Sequence, residues 1–136
     1  MTQAELKVTQ ILDKMRECIS KDRLIFETSG QEERLKNERF LMEYCVTHKD
    51  RINMLKSLTY KNCAQMELDQ FKSKEKYDPI MYIFKLEKDL EERLTGETKS
   101  VEIYIKIQLF KLDGDEDGAL TISFHEAEKP LQYMFR

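Results

Sequence analysis

An α+β fold is what this sequence predicts, with long helices first and a small antiparallel sheet last. Two observations carry that expectation. Apolar residues recur at steps of four and three over residues 4–18 and again over 41–55, the spacing of one face of a helix. From Val101 the period changes to two: Val101, Ile103, Ile105, Ile107 and Leu109 alternate with Glu102, Tyr104, Lys106, Gln108 and Phe110. That is the pattern of a strand with one buried face. Four Gly and two Pro among 136 residues leave little material for loops.

The first helix opens at Thr2 and Glu5, whose side chains suit a capping box that satisfies two free backbone N–H groups. Ala4, Val8, Ile11, Met15 and Cys18 then form one apolar seam of about five turns, which fails at Asp22. Thr28-Ser29-Gly30 reads as a break. Ser29 with Glu32 is a second capping-box candidate, opening a Gly- and Pro-free run to Tyr77. Leu41, Cys45, His48, Ile52 and Leu55 form its seam. As one helix, residues 31–77 would span about 70 Å, so the run either projects as a stalk or breaks, and 59–63 is the weakest stretch. Residues 1–77 are thus expected as a coiled-coil-like stalk or helix pair.

Residues 78–136 are expected as a small α+β domain. Asp78-Pro79 suits a helix start, and Ile80, Ile83, Phe84, Leu86, Leu90 and Leu94 would face one way from it, with Gly96 ending it. The strand from Val101 follows. The turn 113–118 reverses it into a second strand bearing Leu120, Ile122 and Phe124, and Pro130 confines a third to 131–135. The helix over 79–95 is expected to cover this three-stranded meander, because three strands cannot bury a face alone.

Composition narrows the function. Charged residues make up 36 % of the chain and the net charge of −3 is evenly mixed, so no basic field argues for nucleic acid as a partner. No apolar run approaches a membrane span, and the N-terminus lacks the basic and apolar regions of a secretion signal. Cys18, Cys45 and Cys63 lack CxxC spacing and suit free thiols in a reducing, intracellular compartment, cytoplasm or nucleus.

Several motifs invite chemistry. Asp113, Asp115, Asp117, Gly118 and Thr121 follow the first positions of a calcium loop, but Phe124 occupies the place of the final bidentate acid. A solubilising hairpin turn explains the same residues, and calcium responsiveness is a third-ranked alternative. Cys45 and His48 are half of a tetrahedral metal site without a second half. Lys72, Lys74 and Lys76 beside Phe71 and Tyr77 form a basic-aromatic cluster that also reads as a solvated end. No convergent acid, base and nucleophile is legible, so neither enzyme activity nor a cofactor is expected.

The order from Asp78 onward, 86–94 leading into 101–109 and then 120–124 after an acidic turn, resembles the small outer-kinetochore subunits built on the RWD fold. The resemblance implies pairing through a stalk, head-to-head docking and recruitment of centromere proteins. Such heads finish with a further helix, which this sequence does not show. The expected function is therefore a non-catalytic subunit of a larger assembly, a homo- or hetero-oligomer bound to protein partners through Val8, Ile11, Met15, Leu41, Cys45, His48, Ile52 and Leu55. The alternative is a compact monomeric inhibitor or regulator of the immunity, antitoxin or viral host-modulating type.

Overall fold

The computed structural model describes residues 1–26 and 30–135. Helix α1 runs Gln3–Ser20, and its capping box forms: Glu5 N–H donates to Thr2 Oγ1 at 3.1 Å and Thr2 N–H to Glu5 Oε1 at 2.9 Å. It stops where Asp22 turns to φ 58°. A short strand β1, Leu24–Phe26, follows. Helix α2 covers Gln31–Glu43 with Gly30 at its N-cap; Ser29, the expected cap, lies outside the described residues. The run 31–77 breaks rather than projecting as one helix, and it breaks first after Glu43, ahead of the 59–63 stretch that is the weakest in sequence. Tyr44 turns extended, and Thr47 with Asp50 forms a fresh capping box that starts α3, His48–Ser57. A single 3₁₀ turn, Tyr60–Asn62, then leads into strand β2, Cys63–Leu68.

The larger correction concerns residues 79–95. They form strand β3, Ile80–Glu91, rather than a helix. Asp78 does not cap a helix; its Oδ1 accepts the Ile80 N–H at 2.9 Å in a local turn, and Gly96 (φ 71°) serves the turn into β4. Tyr82, Phe84, Leu86 and Leu90 face the core while Ile83, buried too, faces the other way. Burial on both faces erases the two-residue alternation, and the remaining apolar spacing imitates a helix. Strands β4, Thr98–Lys111, and β5, Asp117–Glu126, form the expected hairpin. Residues 131–135 are not a strand, although Met134 N–H reaches the Cys63 carbonyl at 2.8 Å. The sheet has five strands in the order β1-β5-β4-β3-β2, with β1 parallel to β5 and the other pairs antiparallel.

Helix α1, not a helix over 79–95, covers the first face of this sheet. Val8, Ile11, Leu12 and Met15 are at most 2 % exposed and share one core with Phe84, Ile103, Ile105, Ile107 and Phe124. Each such side chain contributes roughly 1.5–3 kcal/mol when fully buried. Leu55 and Leu58 belong to the same core, which therefore joins residues on both sides of position 78.

One irregularity decides what the second face carries. Ile107 pairs with Thr121, but Lys106 pairs with Ser123, so Ile122 is an extra residue in β5. Such a bulge re-aims the side chains beyond it. Thr121 and Phe124 both face the core, whereas Leu120, Ser123 and His125 share the second face with Gln108, Lys106 and Tyr104. Leu120, Ile122 and Phe124 thus do not lie on one face as their alternation suggested. Helix α2 lines the edge of β5 beyond the Phe26–Thr121 pair. Asn37 Nδ2 donates to the Ile122 carbonyl at 3.1 Å, and its Oδ1 accepts the Phe124 N–H at 2.9 Å. The side-chain amide thus makes the pair of hydrogen bonds that a neighbouring strand would make.

Candidate functional site

Among the described residues no helix lies over the centre of the second face. The segment 69–78 crosses one end of it, held by a buried amide. Gln108 Nε2 donates to Asp69 Oδ2 at 2.8 Å and to the Asp78 carbonyl at 2.9 Å, while Lys72 Nζ donates to its Oε1 at 2.9 Å. The tail beyond β5 crosses the other end: Leu131 N–H donates to Glu102 Oε1, and Lys85 Nζ to the Leu131 carbonyl, each at 2.9 Å. Between these straps lies a row of polar and ionisable groups.

At its centre Glu33, one turn into α2, reaches β5. Its Oε2 accepts Ser123 Oγ–H at 2.6 Å and lies 3.0 Å from His125 Nε2. The other ring nitrogen, Nδ1, is 2.9 Å from the Glu126 carbonyl. Both ring nitrogens thus face oxygen atoms. Burial pushes the Glu33 carboxyl up, but the hydrogen bonds from Ser123 and His125 outweigh it and leave the group below the usual carboxylate range. The His125 ring stacks on Tyr104, with centroids 5.2 Å apart and planes at 13°. Next along β4, Lys106 Nζ pairs with Glu67 Oε2 at 3.1 Å. Burial alone would lower this ammonium, yet Tyr104 and Glu67 hold it above its ordinary value. Burial raises the Tyr104 phenol against the pull of Lys106. A groove of about 420 Å³ between α2 and the tail has His125 in its wall, and Lys36 closes its rim on Glu128 at 2.6 Å.

Chemically, the cluster holds a carboxylate able to accept a proton, an imidazole able to give one, an ammonium and a stacked ring. Ser123 is fully buried, and its hydroxyl donates to Glu33. It braces the carboxylate.

The residues expected to bind a partner are dispersed. Val8, Ile11, Met15 and Leu55 lie in the chain's own core. Leu41 and Ile52 are half-buried, and Cys45 and His48 are exposed. His48 meets the Phe26 ring edge-on at 5.4 Å, and Arg51 covers that ring at 4.0 Å. Among the described residues no group of three or more His, Cys, Asp or Glu is arranged to hold a metal. Asp113 and Asp115 lie in the β4–β5 turn, and Asp117 opens β5, paired with Lys111 at 2.8 Å. No described helix is long and apolar enough to cross a membrane.

Sequence reading missed Glu33, Ser123 and His125 as a unit. The available signal was Tyr104 and Lys106 on the non-core side of β4, opposite a Ser-Phe-His run. The stretch 86–94, part of the RWD resemblance, is mostly strand β3. A scan of family models, a search of curated proteins and a search of solved structures find nothing that matches this chain.

Proposed function

We propose that the second face of the sheet is an acid–base site that cleaves single-stranded RNA. The observation that carries this reading is the Glu33–His125 pair, 3.0 Å apart on a bulge and stacked on Tyr104. Five ionisable side chains gathered on one sheet face cost desolvation that an apolar face would avoid, and such clusters mark functional sites. RNA brings its own nucleophile, the 2′-hydroxyl, so the protein needs a base, an acid and a cation. Glu33 takes the 2′-O–H proton, and the 2′ oxygen attacks the adjacent phosphorus. The P–O5′ bond breaks and His125 gives the leaving 5′ oxygen its proton. Lys106 offsets charge on the phosphoryl oxygens, and Tyr104 offers a π-face of the kind on which unpaired bases stack. The products are a 2′,3′-cyclic phosphate and a 5′-hydroxyl.

The test is a labelled single-stranded RNA beside DNA of the same sequence. The RNA is cut to fragments ending in cyclic phosphate and the DNA survives. His125→Gln slows cutting by about 10²–10⁴-fold, the usual worth of a general acid or base, while its thermal melt stays near wild type. A wild-type chain that leaves RNA intact sinks the reading.

A separate observation favours membership of a protein assembly as a second reading. Leu35, Met42 and Leu94 are 48 %, 75 % and 97 % exposed around a groove of about 710 Å³ between α2 and the β3–β4 turn. Sedimentation of wild type against Met42→Glu checks it: concentration-dependent association lost in the variant supports it, and a monomer in both argues against self-association there.

A further inference from the structure

The even mixing of charge along the sequence argued against nucleic acid, but folding sorts that charge in space. At the end of the sheet where β4 finishes, a groove of about 260 Å³ is walled by five lysines from three parts of the chain. Lys7 and Lys14 come from α1, Lys74 and Lys76 from the 69–78 strap, and Lys111 from the end of β4. All five are exposed. Among the described residues, only Lys111 is held by a carboxylate, Asp117 at 2.8 Å. The acids of the groove are Glu75, Asp78 and Asp117. Asp78 is engaged by the Ile80 N–H and Asp117 by Lys111, so the cations are in excess. Aromatic rings lie among them: Tyr77 and Phe110 are 6.0 Å apart, and Lys76 sits 5.8 Å over Tyr77. Phe110 is fixed from behind, because a Cβ at Gly118 would come within 2.4 Å of its ring.

This groove lies at the end of the sheet, with α1 on one side and the 69–78 strap on the other, and the strap separates it from the Glu33–His125 cluster. Tyr104, Lys106, Gln108 and Phe110 follow one another on the same side of β4, and the six-residue interval covers about 20 Å. Lys72, on Gln108, stands between the two regions. We propose that Lys7, Lys14, Lys74 and Lys76 form a phosphate track that holds the backbone of the RNA strand whose scissile bond lies at Glu33 and His125. The inference rests on the RNA-cleaving reading and supplies what that site lacks, a grip on the strand that does not depend on base identity. Lysines spread along a groove beside the half-buried Tyr77 ring suit an extended single strand better than a compact phosphate.

The experiment measures binding of a short 2′-O-methyl RNA strand, which has no free 2′-hydroxyl and cannot be cut, by fluorescence anisotropy at several salt concentrations. The variant is Lys7→Gln/Lys14→Gln/Lys74→Gln, three exposed positions that leave the core intact. Each phosphate contact on a single strand adds about 0.7 to the salt slope, so the slope falls by about 2, on the order of a hundredfold in affinity at 0.1 M salt. For a long cleavable RNA the variant raises KM and leaves kcat unchanged. A triple variant that binds with wild-type slope and affinity overturns the track, even where RNA is still cut. Wild type that binds through these lysines but never cuts overturns the acid–base reading and leaves the track standing. Lysine-dependent capture by phosphatidylserine vesicles, with no binding of RNA, overturns it as well.

Discussion

Replacing Asn37 tests whether a side chain can stand in for a strand. Its amide makes two hydrogen bonds to the β5 backbone, to the Ile122 carbonyl at 3.1 Å and from the Phe124 N–H at 2.9 Å. Phe124 is 2 % exposed, so Asn37→Leu leaves a buried N–H without a partner. That penalty is about 1–3 kcal/mol, and loss of the second bond adds about 1 kcal/mol. For a chain of this size the sum lowers Tm by roughly 10 °C. Asn37→Asp keeps the acceptor for Phe124 but loses the donor to Ile122, so it falls between leucine and wild type. The readouts are a thermal melt and a urea titration, run beside the RNA-cleavage assay. The bulge that Asn37 clamps also aims Ser123 and His125, so cleavage falls further than the loss of folded protein explains. Leucine at this position melting within a degree of wild type would refute the edge-sealing argument.

Glu33 makes acid stability the next observable. Its carboxyl is depressed in the folded state, so its contribution is present above the ordinary value of 4.5 and is lost as pH falls through the lower folded value. Glu33→Gln therefore flattens the acid limb of unfolding free energy against pH below 4.5; an unchanged limb contradicts the Ser123–Glu33–His125 geometry. Ile105→Asp puts a lone charge at a fully buried position of β4 and unfolds the chain; cooperative melting at the wild-type temperature would contradict the register of the sheet. Calcium leaves Tm unchanged in wild type and in Asp115→Asn/Asp117→Asn, because a hairpin fixes the turn and Phe124 points into the core. A calcium-dependent rise abolished by the double variant would establish a site there.

Local chemistry was sufficient for two elements. The Thr2–Glu5 box and the seam behind it fix α1, because a helix start is satisfied within one turn of chain. The alternation from Val101 to Leu109 fixes β4, because one side of that strand contacts the core and the other carries polar groups. The same logic misread β3, whose Ile83 is buried on the face opposite Phe84, so that no period of two remains. It also ran Leu41 to Leu55 together as one seam although Thr47-His48-Lys49-Asp50 starts a new helix between them.

The sequence by itself thus determined the α+β class, the first helix, the β4–β5 hairpin and the absence of any long apolar span. What covers the sheet was decided only in three dimensions. The stripe of α1 is equally suited to a partner chain or to this chain's own sheet, and intramolecular packing uses it first because that face is already at hand. The candidate site is more distant still from sequence logic. Glu33 and His125 are 92 positions apart, and the side of β5 that His125 occupies depends on the extra residue Ile122, held by Asn37 from another helix. A one-residue shift in a strand exchanges its two faces, and no pattern within residues 117–126 states where that shift occurs.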